Sequence, residues 1–434
     1  MKEICVALSL CLLACLLTGC GDHRSPEEDS SGTSPQTSAP SREPQADEPE
    51  FRGVWLSYIE LNAMFKDKTV QEVRNALDEV MDNCVSYGLN AVFFHVRANS
   101  DAYYASSYFQ PAAAAKPLLN AGFDPLSYAV EAAHKRGLTL HAWVNPYRIG
   151  RNADYRVQDI DDYFADETGS SPVYWYLPTS TAVQKLILDG VRELVDNYAV
   201  DGVQYDDYFY PHNVLPAGEP AEVEKASYAE SGGTMPVGDW RRTHVDALIA
   251  SSYQVVHSRK GCVFGVSPSH DYAGTREKGY ADTVKWLENN GYVDYLCPQI
   301  YFGFNHHSSD FAGLLEEWSS FTPASAVRLY IGLGTYKIGL GPDQWAGTPD
   351  NTDARMEWAE NGDILKRSVT LLREKTCGGM IFYSYTFFDP DTPRSLASWT
   401  EKDGETTTQT YDKEIAAQEV ENVISVLEND KTDV

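Results

Sequence analysis

The chain has 434 residues, of which 63 are acidic and 35 are basic. The formal net charge of −28 argues against nucleic-acid binding and against a peripheral grip on anionic lipid, because both partners are themselves negatively charged. The stretch from Phe51 to about Ser395 has roughly 345 residues, a length that suits one large barrel domain better than a small fold.

The amino terminus predicts secretion and lipid attachment. Lys2 precedes an apolar run at residues 4–17, which is too short to span a bilayer and has the length of a signal-peptide core. The run ends in Leu17-Thr18-Gly19-Cys20, which resembles a bacterial lipobox. The resemblance implies removal of residues 1–19 and a lipid on Cys20 that holds the protein to the extracytoplasmic side of the cell membrane. An ordinary secretory signal is the alternative.

Residues 20–50 predict a flexible tether that starts at the lipidated Cys20, because a segment rich in Ser, Pro, Glu and Asp buries too little apolar surface to fold. The cysteines beyond the tether show no paired spacing, so neither a zinc site nor a disulfide framework is expected. The sequence leaves open whether any single disulfide forms. These cysteines are Cys84, Cys262, Cys297 and Cys377. No metal and no cofactor are predicted.

Strand and helix patterns alternate through residues 51–399. The predicted strands are 53–57, 90–96, 138–145, 200–206, 262–267, 292–301, 328–335 and 378–385. The predicted helices are 70–87, 125–136, 181–198, 239–258, 280–290, 310–320 and 353–374, with a short segment near Arg394. Alternation of this kind indicates a parallel sheet, and eight units favour a TIM (β/α)8 barrel over an open doubly wound sheet. The acidic tail, 400–434, carries one amphipathic stretch at 414–427.

The fourth predicted strand carries the most informative motif, VDGVQYDDYFYP at residues 200–211. Strand alternation places Gln204 and Asp206 on one face and Tyr205 on the other. Polar inward residues at the carboxyl end of a barrel strand are typical of a catalytic mouth. Asp206 and Asp207 are alternatively a helix cap or the partners of an arginine.

Other predicted strand ends add polar and aromatic residues that a barrel would bring to the same mouth. The predicted substrate-binding residues are Arg97, Trp143, Asn145, Tyr147, Arg148, Gln204, Tyr208, Gln299 and Tyr301. Side-chain amides bond hydroxyl groups and aromatic faces stack on pyranose rings, so this set predicts a polysaccharide ligand. Arg97 is a candidate internal ion-pair partner of Asp206, whereas His141 is interpreted as a core residue.

Several blocks of the chain resemble, in order, those of the glycosyl-hydrolase-like family 10 lipoproteins. They are FRGVWLS at 51–57, AVFFHVR at 91–97, HAWVNPYR at 141–148, VDGVQYDDYFYP at 200–211, WRR at 240–242 and PQIY at 298–301. The resemblance implies a barrel of glycosidase type and a hydrolase of the cell envelope acting on peptidoglycan glycan strands. His95 and Ser269-His270-Asp271 depart from the family pattern, which bears on the substrate.

Glycoside cleavage normally requires one carboxylic acid and one carboxylate. Asp206 is the predicted carboxylate, and Asp207 joins the site only if the strand ends before it. Asp271 is the first choice for the acid, with Glu60 and Asp101 as alternatives. Two other functions stay open: a glycan-binding lipoprotein without catalysis, and a metal-dependent carbohydrate deacetylase.

Overall fold

Eight parallel strands close into a barrel in the computed structural model, which describes residues 49–347, 352–375, 377–401 and 404–428. The strands are β1 (Phe51–Leu56), β2 (Ala91–Arg97), β3 (Thr139–Val144), β4 (Gly202–Tyr205), β5 (Val263–Val266), β6 (Tyr295–Leu296), β7 (Arg328–Gly334) and β8 (Gly379–Tyr383). Each strand pairs with the next in the chain, and β8 pairs with β1. The predicted (β/α)8 barrel is confirmed. The signal peptide, Cys20 and nearly all of the tether lie outside the described residues.

Helices surround the barrel and follow the predicted alternation. They are α1 (Tyr58–Phe65), α2 (Val70–Ser86), α3 (Lys116–Asn120), α4 (Pro125–His134), α5 (Thr181–Asn197), α6 (Lys225–Glu230), α7 (Val237–Val256), α8 (Tyr272–Lys278), α9 (Thr283–Glu288), α10 (Phe311–Ser320), α11 (Thr352–Glu360), α12 (Ile364–Glu374) and α13 (Lys413–Glu428). No helix forms near Arg394. None of the helices within the described ranges is long and apolar enough to cross a bilayer.

The single helix predicted at 353–374 is two helices, α11 and α12, and the tail explains the break. Glu419 of α13 accepts hydrogen bonds from the first backbone amides of α12, at 2.7 Å from both Ile364 N and Leu365 N. A helix leaves these amides without an intrahelical partner, so an acceptor there favours a new helix start. Helix α13 buries Val420 and Val423, and it therefore belongs to the packed domain.

Aromatic and imidazole rings fill the half of the barrel interior that is nearer the amino-terminal ends of the strands. Phe51 stacks on Tyr330 with ring centroids 4.6 Å apart, and His141 lies 3.3 Å from the Tyr295 hydroxyl. A Cβ at position 202 would lie 2.4 Å from His141 Nδ1, so only Gly202 leaves room for that ring. Burial lowers the pKa of His141 to about 4, which keeps the imidazole neutral. His141 is a core residue, as the sequence predicts.

The chain enters β1 at the amino-terminal face of the barrel, where α13 also ends. Arg52 Nη1 donates to Leu427 O at 3.1 Å, and Arg373 donates to both carboxylate oxygens of Glu50 at 2.8 Å. Residues 49 and 50, which precede β1, therefore lie at the face opposite the carboxyl ends of the strands.

Candidate active site at the carboxyl ends of the strands

Strand β4 ends at Tyr205, and two carboxylates follow it directly. The Tyr205 hydroxyl lies 2.8 Å from Ser252 Oγ on α7, outside the barrel, whereas Gln204 is fully buried inside. This is the alternation that the sequence predicts. Asp206 is 3% exposed. The strand ends before Asp206, so strand alternation does not fix the direction of the Asp207 side chain. This is the condition under which the sequence predicts that Asp207 joins the site.

Two indole rings inside the barrel donate hydrogen bonds to Gln204 and Asp206. Trp55 Nε1 donates to Gln204 Oε1 at 2.7 Å, and Trp143 Nε1 donates to Asp206 Oδ2 at 2.9 Å. The second oxygen of Asp206 accepts from the backbone amide of Tyr208 at 3.3 Å. Both carboxylate oxygens of Asp206 therefore have donors, and its position is set by strands β3 and β4 together.

The electrostatics of the two carboxylates favour a shared proton. Burial, and then the like charge of Asp207, raise the pKa of Asp206 well above its ordinary value, against the hydrogen bond from Trp143. Burial raises the pKa of Asp207 to about 6, while the side-chain amide of Gln299 lowers it. Two adjacent carboxyls in such surroundings titrate as a pair, so the pair retains a proton at a pH where exposed aspartates are ionised.

His95 positions Trp143 without contributing charge. Its ring stacks on Trp143 with centroids 3.5 Å apart and 12° between the planes. Nε2 lies 2.9 Å from Asn145 Oδ1, and Nδ1 accepts from the backbone amide of Tyr58 at 3.3 Å. With both nitrogens occupied, the tautomer is defined, and burial lowers the pKa of His95 well below its ordinary value. His95 and Asn145 therefore orient the indole that binds Asp206.

An aromatic wall stands beside the carboxylates. It consists of Trp55, Trp143, Tyr301, Tyr336 and Tyr383. Tyr301 stacks on Tyr383 with centroids 5.7 Å apart, and the two indole rings meet edge-on at 6.4 Å. The three tyrosines are partly exposed, so their rings are open to a ligand. Trp55 was not predicted from the sequence.

The far side of the mouth is built by a small antiparallel sheet that follows β3. Its strands are Arg148–Gly150, Val173–Tyr176 and Tyr163–Asp166. The Arg148 guanidinium lies 5.4 Å from the ring centroid of Tyr208, and its charge lowers the pKa of Asp206. Arg148 and Tyr208 are partly exposed next to the carboxylates, whereas Tyr147 is fully buried and is therefore out of reach of a ligand in this conformation.

Arg97 lies on the outer side of the barrel, away from the candidate site. The pairing of β2 with β3 shifts between His95 and Arg97, and such a bulge moves the following side chain to the other face. The Arg97 guanidinium lies over Phe109 at 4.3 Å and donates to the carbonyls of Asn145 and Pro146 at 3.0 and 2.9 Å. It packs between barrel and α5. The expected ion pair with Asp206 is therefore wrong.

Two of the three acid candidates are engaged in structural roles. Asp271 is exposed and caps α8, where its carboxylate accepts from Gly274 N at 2.8 Å. Glu60 is buried and accepts from Ser57 N at 2.6 Å, Ser384 Oγ at 2.9 Å and a third donor, the Thr386 amide, at 2.7 Å. Its oxygens are thus committed to joining β1 to the segment after β8.

Asp101 differs from both. It is 7% exposed, and its Oδ1 has no hydrogen-bond partner within the part of the chain that the structure describes. Burial raises the pKa of Asp101 to about 6, while Asn99 and the charge of Arg148 lower it. A buried carboxyl with one free oxygen beside a cation at the mouth has the environment of a proton donor.

The described ranges contain neither a candidate metal site nor a disulfide. No group of three or more His, Cys, Asp or Glu side chains there is placed to hold a metal ion. The four cysteines beyond the tether, Cys84, Cys262, Cys297 and Cys377, are free thiols.

Residues 50–346 match the family described as glycosyl hydrolase-like 10. The chain belongs to this family. Glycosyl hydrolase DigH of Escherichia coli K12 is 30% identical over 410 residues, covering 85% of this chain and 88% of DigH. Glycosyl hydrolase YngK of Bacillus subtilis 168 is 30% identical over 350 residues, covering 74% of this chain and 67% of YngK.

Among solved structures, the chain is similar to the PgaB (BpsB) glycoside hydrolase domain from Bordetella bronchiseptica. The TM-score is 0.53 at 13% sequence identity, and the match covers 78% of this chain and 95% of that domain. At this identity the likeness concerns the fold. Family and fold together are those of glycoside hydrolases.

Proposed function

We propose that this member of the glycosyl hydrolase-like 10 family is a glycoside hydrolase of the cell envelope. Its substrate is the glycan of peptidoglycan, and a lipid on Cys20 holds it at the extracytoplasmic side of the membrane. The observation that carries the proposal is the carboxyl pair at the mouth beside the aromatic wall, in which Asp206 is buried and Asp207 is partly buried.

The pair supplies the two protonation states that glycoside cleavage needs. One carboxyl must donate a proton to the leaving oxygen, while a carboxylate stabilises the sugar cation or activates water. Because burial raises both pKa values and the charge of Asp207 raises the pKa of Asp206 further, Asp206 and Asp207 hold one proton between them near neutral pH. Asp101, whose pKa burial raises to about 6 and the charge of Arg148 lowers, is a further source of a proton.

The rest of the mouth suits a neutral sugar ring. The tyrosines of the aromatic wall offer faces for the apolar side of a pyranose. Gln204 is fully buried inside the barrel, whereas Gln299 is partly exposed and places an amide next to Asp207. Amides of this kind bond hydroxyl or acetamido groups. The relatives named as glycosyl hydrolases support the same reaction class.

The test is cleavage of peptide-free glycan strands, followed by new reducing ends and by strand length. We expect the wild-type protein to shorten the strands, and Asp206→Asn to lose more than the roughly 100- to 10,000-fold that an acid–base group alone contributes. Asp196→Asn, an exposed change on α5, is the matched control and keeps full turnover. Binding without shortening would favour a glycan-binding protein, and EDTA-sensitive acetate release would favour a deacetylase.

A further inference from the structure

A second polar cluster lies at the same face of the barrel, beyond the aromatic wall. We define the Phe302 cluster as His270, Phe302, His306, Lys337 and Asp343. The rings of His270 and His306 lie 4.6 and 4.8 Å from Phe302, each edge to face, and Lys337 Nζ lies 5.2 Å from the same ring. These residues follow strands β5, β6 and β7, so they share the end of the barrel that carries the carboxylates.

The cluster adjoins the proposed active site through one side chain. Tyr336, the residue before Lys337, meets Tyr301 of the aromatic wall edge-on at 5.9 Å. Tyr301 and Phe302 are neighbours in the chain, as are Tyr336 and Lys337, so the aromatic wall and the Phe302 cluster adjoin. The loop after β6 is held in place by Glu357, which accepts from the backbone amides of Phe304 and Asn305 at 2.8 and 3.0 Å.

His306 presents a buried N–H group that lacks an acceptor. Its Nδ1 accepts from the backbone amide of Ser309 at 3.1 Å, so in the neutral ring the proton is on Nε2. That Nε2 is buried and has no hydrogen-bond partner among the described residues, and His306 is only 8% exposed. Buried donors are nearly always paired, which makes this one a position for a ligand atom.

Lys337 adds a cation that is held charged. Its Nζ donates to Asp343 Oδ2 at 2.9 Å, and Asp343 Oδ1 accepts from the Trp345 amide at 2.9 Å. An ammonium has three N–H donors, so Lys337 can offer another bond, whereas both oxygens of Asp343 are in use. The cluster thus offers donors and no idle carboxylate oxygen, which suits a ligand group that only accepts.

We propose that the Phe302 cluster is a subsite for a carboxylate carried by a sugar of the bound glycan, with Lys337 and His306 Nε2 as its donors. A chain with a net charge of −28 repels an anionic polymer in general. Recognition of the polymer's carboxylates therefore requires a local cation such as Lys337. The proposal rests on the proposed glycan substrate, but its test below is independent of cleavage.

The experiment follows the His306 Nε2 resonance in protein labelled with ¹⁵N-histidine. The probes are N-acetylmuramic acid, which carries a carboxylate, and N-acetylglucosamine, which does not. We expect the resonance to shift with the first sugar only. In Lys337→Gln, the affinity should fall about tenfold or more, as expected for a lost bond to a charged acceptor. Lys185→Gln removes the lysine of another Lys–Asp pair on α5 and should leave the affinity unchanged.

His306→Asn assigns the signal and retains an acceptor for the Ser309 amide. Equal shifts with both sugars, no shift with either, or an affinity that is insensitive to Lys337→Gln would overturn the proposal. A shift with inorganic phosphate but none with the acidic sugar would assign the cluster to another anion and would overturn it as well. If strands are not cleaved but the acidic sugar binds here, the hydrolase proposal fails and the subsite stands.

Discussion

The indole nitrogen of Trp143 donates a 2.9 Å hydrogen bond to Oδ2 of Asp206. This bond connects β3 to the carboxylate that follows β4, and the indole is itself fixed by the stacked ring of His95. A donor to the ionised form opposes the rise in pKa that burial causes. Trp143 therefore acts both as a wall for the ligand and as the group that adjusts the acidity of the carboxyl pair.

Replacing Trp143 with Phe should change the pH dependence of turnover. The variant keeps an aromatic ring but loses the N–H donor, so the pKa of Asp206 rises further. We expect the acidic limb of the pH–rate profile to move to higher pH and turnover at neutral pH to fall about tenfold or more. Trp55→Phe, which loses a donor to Gln204 instead, is the control and should leave the acidic limb in place.

The carboxyl pair should make stability depend on pH. The pKa of Asp207 is about 6 in the folded protein against roughly 3.9 in an unfolded chain. Between these values the folded protein binds more protons, so the free energy of unfolding falls as pH rises from about 4 to above 6. Asp207→Asn should therefore gain up to about 3 kcal/mol over the wild type at pH 8 and little at pH 4, as measured by urea denaturation. A gain confined to pH 4 would contradict the raised pKa.

Arg97→Met should reduce stability and leave catalysis nearly intact. The guanidinium holds the carbonyls of Asn145 and Pro146 on the outer side of the barrel, so the variant leaves buried acceptors unpaired. We expect a loss of about 2–4 kcal/mol in the free energy of unfolding, with turnover per folded molecule within about threefold. A hundredfold loss of turnover in a fully folded variant would return Arg97 to the active site.

Asp101 and Asp271 can be separated by matched substitutions. Asn is a good helix cap, so Asp271→Asn keeps the bond to Gly274 and removes only the charge. We expect Asp271→Asn to retain most of its turnover and Asp101→Asn to lose about 100-fold or more. The measurement is turnover of glycan strands alongside the melting temperature of each variant. The reverse ranking would restore Asp271 as the acid that the sequence suggested.

Cys20→Ser should release the protein from the membrane. The lipid is the proposed attachment, and the chain enters the barrel at the face opposite the candidate site, so the domain should fold and cleave as before. Fractionation of cells that express the variant should find it in the soluble extracytoplasmic pool with unchanged specific activity. Continued sedimentation with membranes would contradict attachment through Cys20.

The sequence by itself determined the barrel and part of its mouth. Strand alternation is local, so Gln204 and Asp206 could be assigned to the interior from the motif alone. Tertiary structure decided what depends on how strands meet. A bulge in β2 turned Arg97 outward, because a one-residue shift reverses every following side chain.

Contacts between residues far apart in the chain also could not be predicted from the sequence. The bond from Trp55 to Gln204 joins residues 149 positions apart, and it forms because barrel closure brings β1 and β4 to face each other across the interior. Glu60 and Asp271 follow strand ends as plausible acids, yet three donors occupy both oxygens of Glu60, and the Gly274 amide occupies Oδ1 of Asp271. Whether a carboxylate is available for chemistry depends on donors that only the folded chain brings together.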